Sequence, residues 1–374
     1  MLSRNNINSP FLFYLKFREF NICINFHFIY FCSSMILHYY TYNLPFEYPF
    51  QISGNRIKTH QPTLIVVLEL GNYYGIGEAP AITYYGVTVE KMVSVIEEKK
   101  AMIEKFAFTE PERYWHYLHH LLEDAPFLVA ALDIAAWDLF GKMQKEKLYQ
   151  SLHTEWSDNL PQTNYTIGLD SIDKMVEKIK NKPWNIYKIK LGLNNDIEIV
   201  TELRKHTNAI FRVDANGGWQ TDEALEKINI LQHLGVEFIE QPLAKDNWKG
   251  MKILYENSPL PIIADESCVK EEDVAMCHTY FHGVNIKLTK CSGISPAIQM
   301  IKNAKKLGMK IMMGSMNESS IGTAAIAHFL PQLDYVDMDG PLLLSKDLAT
   351  GLTISSSNVE IKGNYGLGIT PTLF

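Results

Sequence analysis

Val236 to Glu240 reads V-E-F-I-E, a short apolar run that ends on a carboxylate, and its reading decides how the second half of the chain is built. The preceding segment, T-D-E-A-L-E-K-I-N-I-L-Q-H-L-G from Thr221 to Gly235, has a capping Thr, acids in its first turn, apolar residues at helical spacing and a terminal Gly. V-E-F-I-E is therefore read as a strand that follows a helix. The pattern repeats in both directions: I-F-R-V-D (210 to 214) and P-I-I-A-D (261 to 265) flank it, and further runs read T-N-Y-T-I (163 to 167), Y-K-I-K-L (187 to 191), V-N-I-K-L (284 to 288), K-I-M-M-G (310 to 314) and Y-V-D-M-D (335 to 339). Their starts recur about every two dozen residues, the length of one strand, one helix and two short loops. Eight such units predict an α/β fold with a parallel TIM-type barrel over residues 161–340.

Residues 35–160 differ. Strands through L-I-V-V-L-E-L and Y-Y-G-I-G-E-A come first and helices follow, which predicts an α+β domain ahead of the barrel. The segment 341–374 holds no barrel strand and is expected to return to that domain. Residues 1–34 stand apart, with 7 of the 18 phenylalanines and no Gly, Ala or Val. Arg18, Glu19, Asn21 and Asn25 interrupt its apolar residues, so neither a secretory signal nor a membrane span is read there. The expectation is a non-native or disordered extension, with translation starting at Met35.

The composition narrows the partners. A formal net charge of −7 argues against sequence-independent nucleic-acid binding and for a small-molecule partner. The five cysteines form no C-x-x-C pair, so a reducing cytoplasmic setting is expected, with neither a disulfide framework nor a zinc site.

Asp214, Glu240 and Asp265 close three successive strands, and in a parallel barrel such ends are neighbours at one rim. Three carboxylates brought together raise one another's pKa unless a cation neutralises them. Oxygen-only ligands with no His or Cys nearby point to Mg²⁺. Three unrelated caps at helix N-termini would also use Asp and Glu, but three in register on consecutive repeats are hard to obtain by accident. Strand two carries Lys188 and Lys190 on one face, and strand six carries Lys287 roughly opposite. Two lysines then approach a metal-bound substrate from opposite sides, each placed to move a proton at one carbon. A neighbouring ammonium and the cation are expected to depress their pKa values, and Lys290 reads as a loop residue.

K-x-K, V-D-A-N-G-G-W, E-Q-P, A-D-E-S and N-I-K-L-T-K together resemble the enolase superfamily, in its muconate-lactonising subgroup, over essentially everything from Met35 onward. The resemblance implies a (β/α)7β barrel capped by the first domain, with Asp214, Glu240 and Asp265 on Mg²⁺, Lys190 and Lys287 as the acid/base pair, and Lys188 on the substrate carboxylate. Barrels of this type commonly assemble, so a homo-oligomer is expected. D-M-D-G after strand eight resembles the D-x-D motif of dipeptide epimerases, in which Asp337 and Asp339 would receive a free α-ammonium group. It also implies that Thr163 and Ser315 contact the substrate, and it leaves the role of Glu318 open. C-S-G-I (291 to 294) replaces a pair of glycines usual after strand six.

The expected reaction is a Mg²⁺-dependent 1,1-proton transfer at the α-carbon of a dipeptide's C-terminal residue. The alternatives are an o-succinylbenzoate synthase, an N-succinylamino acid racemase or a muconate cycloisomerase. From another class comes a non-catalytic metal- and ligand-binding barrel. Substrate choice is assigned to the loops Phe50 to Thr59 and Ala81 to Thr88. The aromatic second loop favours small hydrophobic dipeptides, whereas Arg56 and Lys58 would suit a glutamate.

Overall fold

The computed structural model describes the backbone of residues 14–17, 20–25, 28–32, 35–52, 56–157, 159–356 and 358–373, and side chains from residue 35 onward apart from 50–57, 158, 357 and 374. Tyr14–Phe17 (β1), Phe20–Asn25 (β2) and Phe28–Cys32 (β3) form an antiparallel sheet of their own. The rest of the 1–34 extension lies outside the described residues.

Ile36–Ile52 (β4), Arg56–Leu70 (β5) and Tyr73–Pro80 (β6) form an antiparallel meander. The run L-I-V-V-L in β5 is apolar throughout because both faces of the sheet are covered. Leu64, Val66 and Leu68 pack among the helices of the first domain, whereas Ile65 and Val67 join the core shared with the barrel. Those helices are Val89–Glu104 (α1), Pro111–Leu121 (α2) and Pro126–Gln144 (α3). The inner helix, α3, is buried on nearly every side, which explains why its sequence lacks a polar stripe. It lies so close to β6 that a Cβ on Gly75 or Gly77 would fall 1.9 or 2.0 Å from the carbonyl oxygens of Ala135 and Ala131. Only glycine fits at these two positions.

The barrel consists of Tyr165–Ile167 (β7), Ile186–Lys190 (β8), Ile210–Asp214 (β9), Val236–Glu240 (β10), Ile262–Ala264 (β11), Gly283–Ile286 (β12), Lys310–Gly314 (β13) and Tyr335–Asp337 (β14), all parallel and paired in sequence order. A parallel bridge between Thr163 and Val336 brings the ends of the sheet together. A helix follows each of the first seven strands, and a short 3₁₀ turn, Gly340–Leu343, follows the eighth. The architecture is thus a (β/α)7β barrel with an α+β cap. The helix after β9 starts at Thr221 one residue past its cap, and Glu223 Oε1 accepts the Gln220 N–H at 3.1 Å.

Asp265 and Lys287 each lie one residue beyond their strands, and β14 stops before Asp339. At the rim the chain is already turning away from the ladder, so strand assignment ends earlier than the apolar run. The tail meets the cap at the C-terminal part of α3: Asp138 Oδ1 accepts the Leu367 N–H at 2.8 Å, and the Gly366 N–H donates to Glu146 O at 2.8 Å. Among the described residues, no helix is long and apolar enough to cross a membrane.

Candidate active site

Parallel register sets the site. Lys190 lies opposite Asp214, and Asp214 opposite Glu240, so three inward side chains from β8, β9 and β10 form a lateral row at the C-terminal rim. Asp265 extends that row. One oxygen from each of Asp214, Glu240 and Asp265 can be chosen so that all lie within 4.8 Å of one another, and all three residues are buried. Buried like charges at this spacing must be neutralised, which lysine ammoniums do in part here, and the all-oxygen donor set suits a hard divalent cation. Glu240 Oε2 is buried and has no aligned hydrogen-bond donor among the described residues, although the Lys188 ammonium is 2.8 Å away. That oxygen, ion-paired without an aligned hydrogen bond and close to the other two carboxylates, fits a metal ligand.

Lys188 sits one pleat below Lys190. Its Nζ lies 2.8 Å from Asp337 Oδ2, 2.8 Å from Glu240 Oε2 and 3.0 Å from Asp214 Oδ2. Lys190 Nζ donates to Asp214 Oδ2 at 2.6 Å and to Asn216 Oδ1 at 3.2 Å. From the other side, Lys287 Nζ donates to Asp265 Oδ2 at 2.7 Å.

Charge balance among these groups is uneven. Burial works against ionisation of Asp214, but Lys188 and Lys190 outweigh it and its pKa falls to about 2. At Glu240 burial and the Asp214 charge win, and the pKa rises to about 7. Burial would lower the pKa of Lys188 and Lys287, yet the carboxylates on each ammonium raise both above the ordinary lysine value. With no cation between them, carboxylate oxygens at 2.7 to 3.0 Å dominate over neighbouring ammonium groups at Lys188 and Lys287, whereas the depression expected of the acid/base pair belongs to the metal-loaded site.

Both Asp337 and Asp339 line the same cleft as Lys188, Lys190 and Lys287, and Ser315 joins them. Asp337 accepts from Asn164 Nδ2 at 2.7 Å, and Lys188 holds its pKa down against burial. Asp339 Oδ2 accepts the Thr166 N–H at 2.5 Å, and burial together with Asp337 pushes its pKa up to about 8. Thr163 lies outside this cleft. It sits where the barrel closes and faces a hollow at the opposite end, among Trp156, Leu160 and Pro161. Thr166 is the β7 residue that reaches the cleft.

Ser292 and Gly293 lie outside the cleft lining as well. Ser292 adopts a left-handed conformation, φ 70°, and its carbonyl accepts from Trp115 Nε1 at 3.0 Å, so this loop faces the cap helices. Glu318 is buried, and burial, reinforced by Glu78, raises its pKa well above the ordinary carboxylate value. Ile82, Tyr84, Tyr85, Met316 and Leu343 form the apolar side of the cleft, with Lys58 at its edge. The side chain of Arg56 lies outside the described residues.

Sequence reasoning missed several groups. Lys290, read as a loop residue, is fully buried, and its Nζ donates to Asp265 Oδ1 at 2.6 Å and to Cys268 O at 2.8 Å. Asn285 Nδ2 donates to Glu240 Oε1 at 2.9 Å. Asn216 bridges Lys190 to Glu266, whose Oε1 accepts from Asn216 Nδ2 at 3.1 Å. The signal for Asn285 was present, because it lies two residues before Lys287, on the same face of the strand.

Residues 171–373 match the family described as Enolase C-terminal domain-like. The chain belongs to this family. Within the enolase superfamily it is 50% identical over 329 residues to the L-Ala-D/L-amino acid epimerase of Flavobacterium johnsoniae, a match covering 88% of this chain and 97% of the relative. The substrate-liganded structure of the L-Ala-D/L-Glu epimerase from Bacillus subtilis superposes with a TM-score of 0.85 at 29% identity, over 91% of this chain and 99% of that one. A dipeptide epimerase from Methylococcus capsulatus, complexed with Mg and the dipeptide L-Arg-D-Lys, gives a TM-score of 0.82 at 26% identity, over 90% and 99% of the two chains.

Proposed function

We propose that the protein is a Mg²⁺-dependent dipeptide epimerase that inverts the α-carbon of the C-terminal residue. The observation that carries this reading is the disposition of Lys190 and Lys287 on either side of the carboxylate group, with Asp337 and Asp339 in the same cleft. Asp214, Glu240 and Asp265 would hold the metal. When bound, Mg²⁺ supplies positive charge that draws electron density from the substrate carboxylate and so acidifies the α-proton.

In this reading one lysine takes the α-proton as a neutral amine, and the other, an ammonium, delivers a proton to the opposite face. The two exchange roles when the epimer reacts. Lys188 orients the substrate carboxylate, and Asp337 and Asp339 hold the α-ammonium at a fixed distance from it. Pure ligand capture has no use for two opposed bases. Succinylated and muconate-type substrates carry no ammonium for the aspartate pair. Tyr84, Tyr85, Ile82, Met316 and Leu343 favour Ala-Ala-like or small hydrophobic dipeptides. A cytoplasmic setting belongs to the same reading, supported by Cys268, Cys277 and Cys291 lying buried as free thiols.

Proton NMR of L-Ala-L-Ala and a small dipeptide panel in D₂O, with Mg²⁺ or with EDTA, tests it. Metal-dependent loss of the C-terminal α-proton signal with growth of the diastereomer is the expected result. No exchange on any dipeptide would overturn it.

A further inference from the structure

Each of the three ligand carboxylates has one oxygen tied back into the fold. Asp214 Oδ1 accepts the Asn216 backbone N–H at 3.0 Å, Glu240 Oε1 accepts from Asn285 Nδ2 at 2.9 Å, and Asp265 Oδ1 accepts from Lys290 Nζ at 2.6 Å. The other oxygens, Asp214 Oδ2, Glu240 Oε2 and Asp265 Oδ2, lie against lysines of the cleft. We propose that Asn285 and Lys290 restrict Glu240 and Asp265 to one ligand oxygen each, and that this restriction selects Mg²⁺ over Ca²⁺. The inference rests on the metal-dependent reading above and adds to it a reason for the choice of ion.

Lys290 is the firmest of these ties. Its side chain is fully buried, and besides Asp265 Oδ1 its Nζ lies 2.6 Å from Asp265 O, 2.8 Å from Cys268 O and 3.2 Å from Asn285 O. Three backbone carbonyls fix the ammonium, and the ammonium fixes the carboxylate. Asp265 cannot rotate to offer both oxygens without leaving a buried ammonium short of its anionic partner. Asn285 acts on Glu240 in the same way, from the neighbouring strand. Mg²⁺ demands near-ideal octahedral geometry with six ligands, whereas Ca²⁺ accepts six to eight and takes bidentate carboxylates readily. Three one-oxygen ligands would leave room for substrate and water oxygens in a six-ligand shell, and they would deny Ca²⁺ the extra oxygens it prefers. Lys290 and Asn285 are in this sense positioning residues that act through the ligands.

The test is calorimetric titration of the full-length, metal-stripped protein with Mg²⁺ and, separately, with Ca²⁺. Removing the Lys290 charge strengthens attraction for both ions alike, so the ratio of the two dissociation constants isolates the geometric effect. Lys290→Met is expected to move that ratio toward Ca²⁺ by about 10-fold or more, within the range that outer partners of a metal site usually command. An unchanged ratio, including equal loss of both affinities, would mean a merely structural lysine and overturn the proposal. If Lys290→Met does not fold, Asn285→Ser frees Glu240 Oε1 without removing a charge and must show the same shift. A wild-type protein that binds neither ion would overturn the metal reading itself, an outcome distinct from an unchanged ratio.

Discussion

Glu78, on the last strand of the cap sheet, accepts hydrogen bonds at Oε2 from the Ser319 N–H at 3.1 Å and the Ser319 hydroxyl at 2.5 Å. Ser319 is the N-cap of the barrel helix Ser320–Ala327, and the Gly322 N–H also reaches Glu78 Oε2 at 3.1 Å. A carboxylate of one domain thus satisfies the free amides at a helix start in the other, where negative charge is favoured. The tie lies two residues beyond Met316 and Asn317, which line the cleft. Glu78→Gln turns an amide NH₂ toward these donors and is expected to lower stability by about 1–3 kcal/mol. Denaturant unfolding of the two proteins measures it.

Asp133 of α3 makes a second tie. It accepts the Ser295 N–H at 2.9 Å and the Ser295 hydroxyl at 2.8 Å, and burial pushes its pKa up to about 7 despite these bonds. In the unfolded chain an aspartate titrates near 3.9, so the folded protein holds this proton more tightly. Its contribution is fully present below about pH 4 and is lost as the pH rises through about 7, at roughly 1.4 kcal/mol per pH unit. Asp133→Asn cannot ionise. The stability of the variant relative to the wild type should therefore climb between about pH 4 and 7 and level off above that, in unfolding experiments across the range.

Lys190→Ala and Lys287→Ala should each abolish inversion while Mg²⁺ binding persists. Each removes a group that moves a proton, a role worth about 10²- to 10⁴-fold in rate. NMR exchange and calorimetry on the same preparations separate the two effects. Turnover retained in either variant would sink the two-base mechanism.

Mg²⁺ should also stabilise the fold. An ion that binds only the folded state at 100 times its dissociation constant adds about 2.7 kcal/mol. Thermal unfolding with Mg²⁺ and with EDTA reads this directly, and Asp214→Asn should erase the difference.

Asp339→Asn removes a carboxylate that lines the cleft while preserving its shape. A charge-assisted hydrogen bond to a substrate ammonium contributes about 1.5–3 kcal/mol, so kcat/KM on a free dipeptide should fall about 10- to 100-fold. An N-acylated dipeptide, which lacks the ammonium, should lose far less. Equal losses on both substrates would argue against ammonium recognition.

The barrel and its acidic row were legible in the sequence because two regularities suffice: apolar runs recur once per unit, and parallel pairing aligns the ends of successive runs. Lys190, Asp214 and Glu240 follow from the strand period and that alignment alone. The rim of the first strand was not legible. Thr163, between Gln162 and Asn164, and Thr166, between Tyr165 and Ile167, fall in one run, and the closing of the barrel between Thr163 and Val336 leaves Thr166 at the cleft. The state of Lys188 and Lys287 likewise depends on distances that spacing cannot supply, since carboxylates 2.7 to 3.0 Å away outweigh burial. Lys290 shows the limit most clearly. Three residues after Lys287 it has left the strand, so periodicity no longer says where it points; the turn after β12 carries it back under Asp265, among the backbone carbonyls of Asp265, Cys268 and Asn285. The sequence by itself determined which residue types stand at the strand ends, because that is a matter of period. Which oxygens remain free for chemistry was decided only by the tertiary structure, because hydrogen-bond partners come from neighbouring strands and turns far apart in the chain.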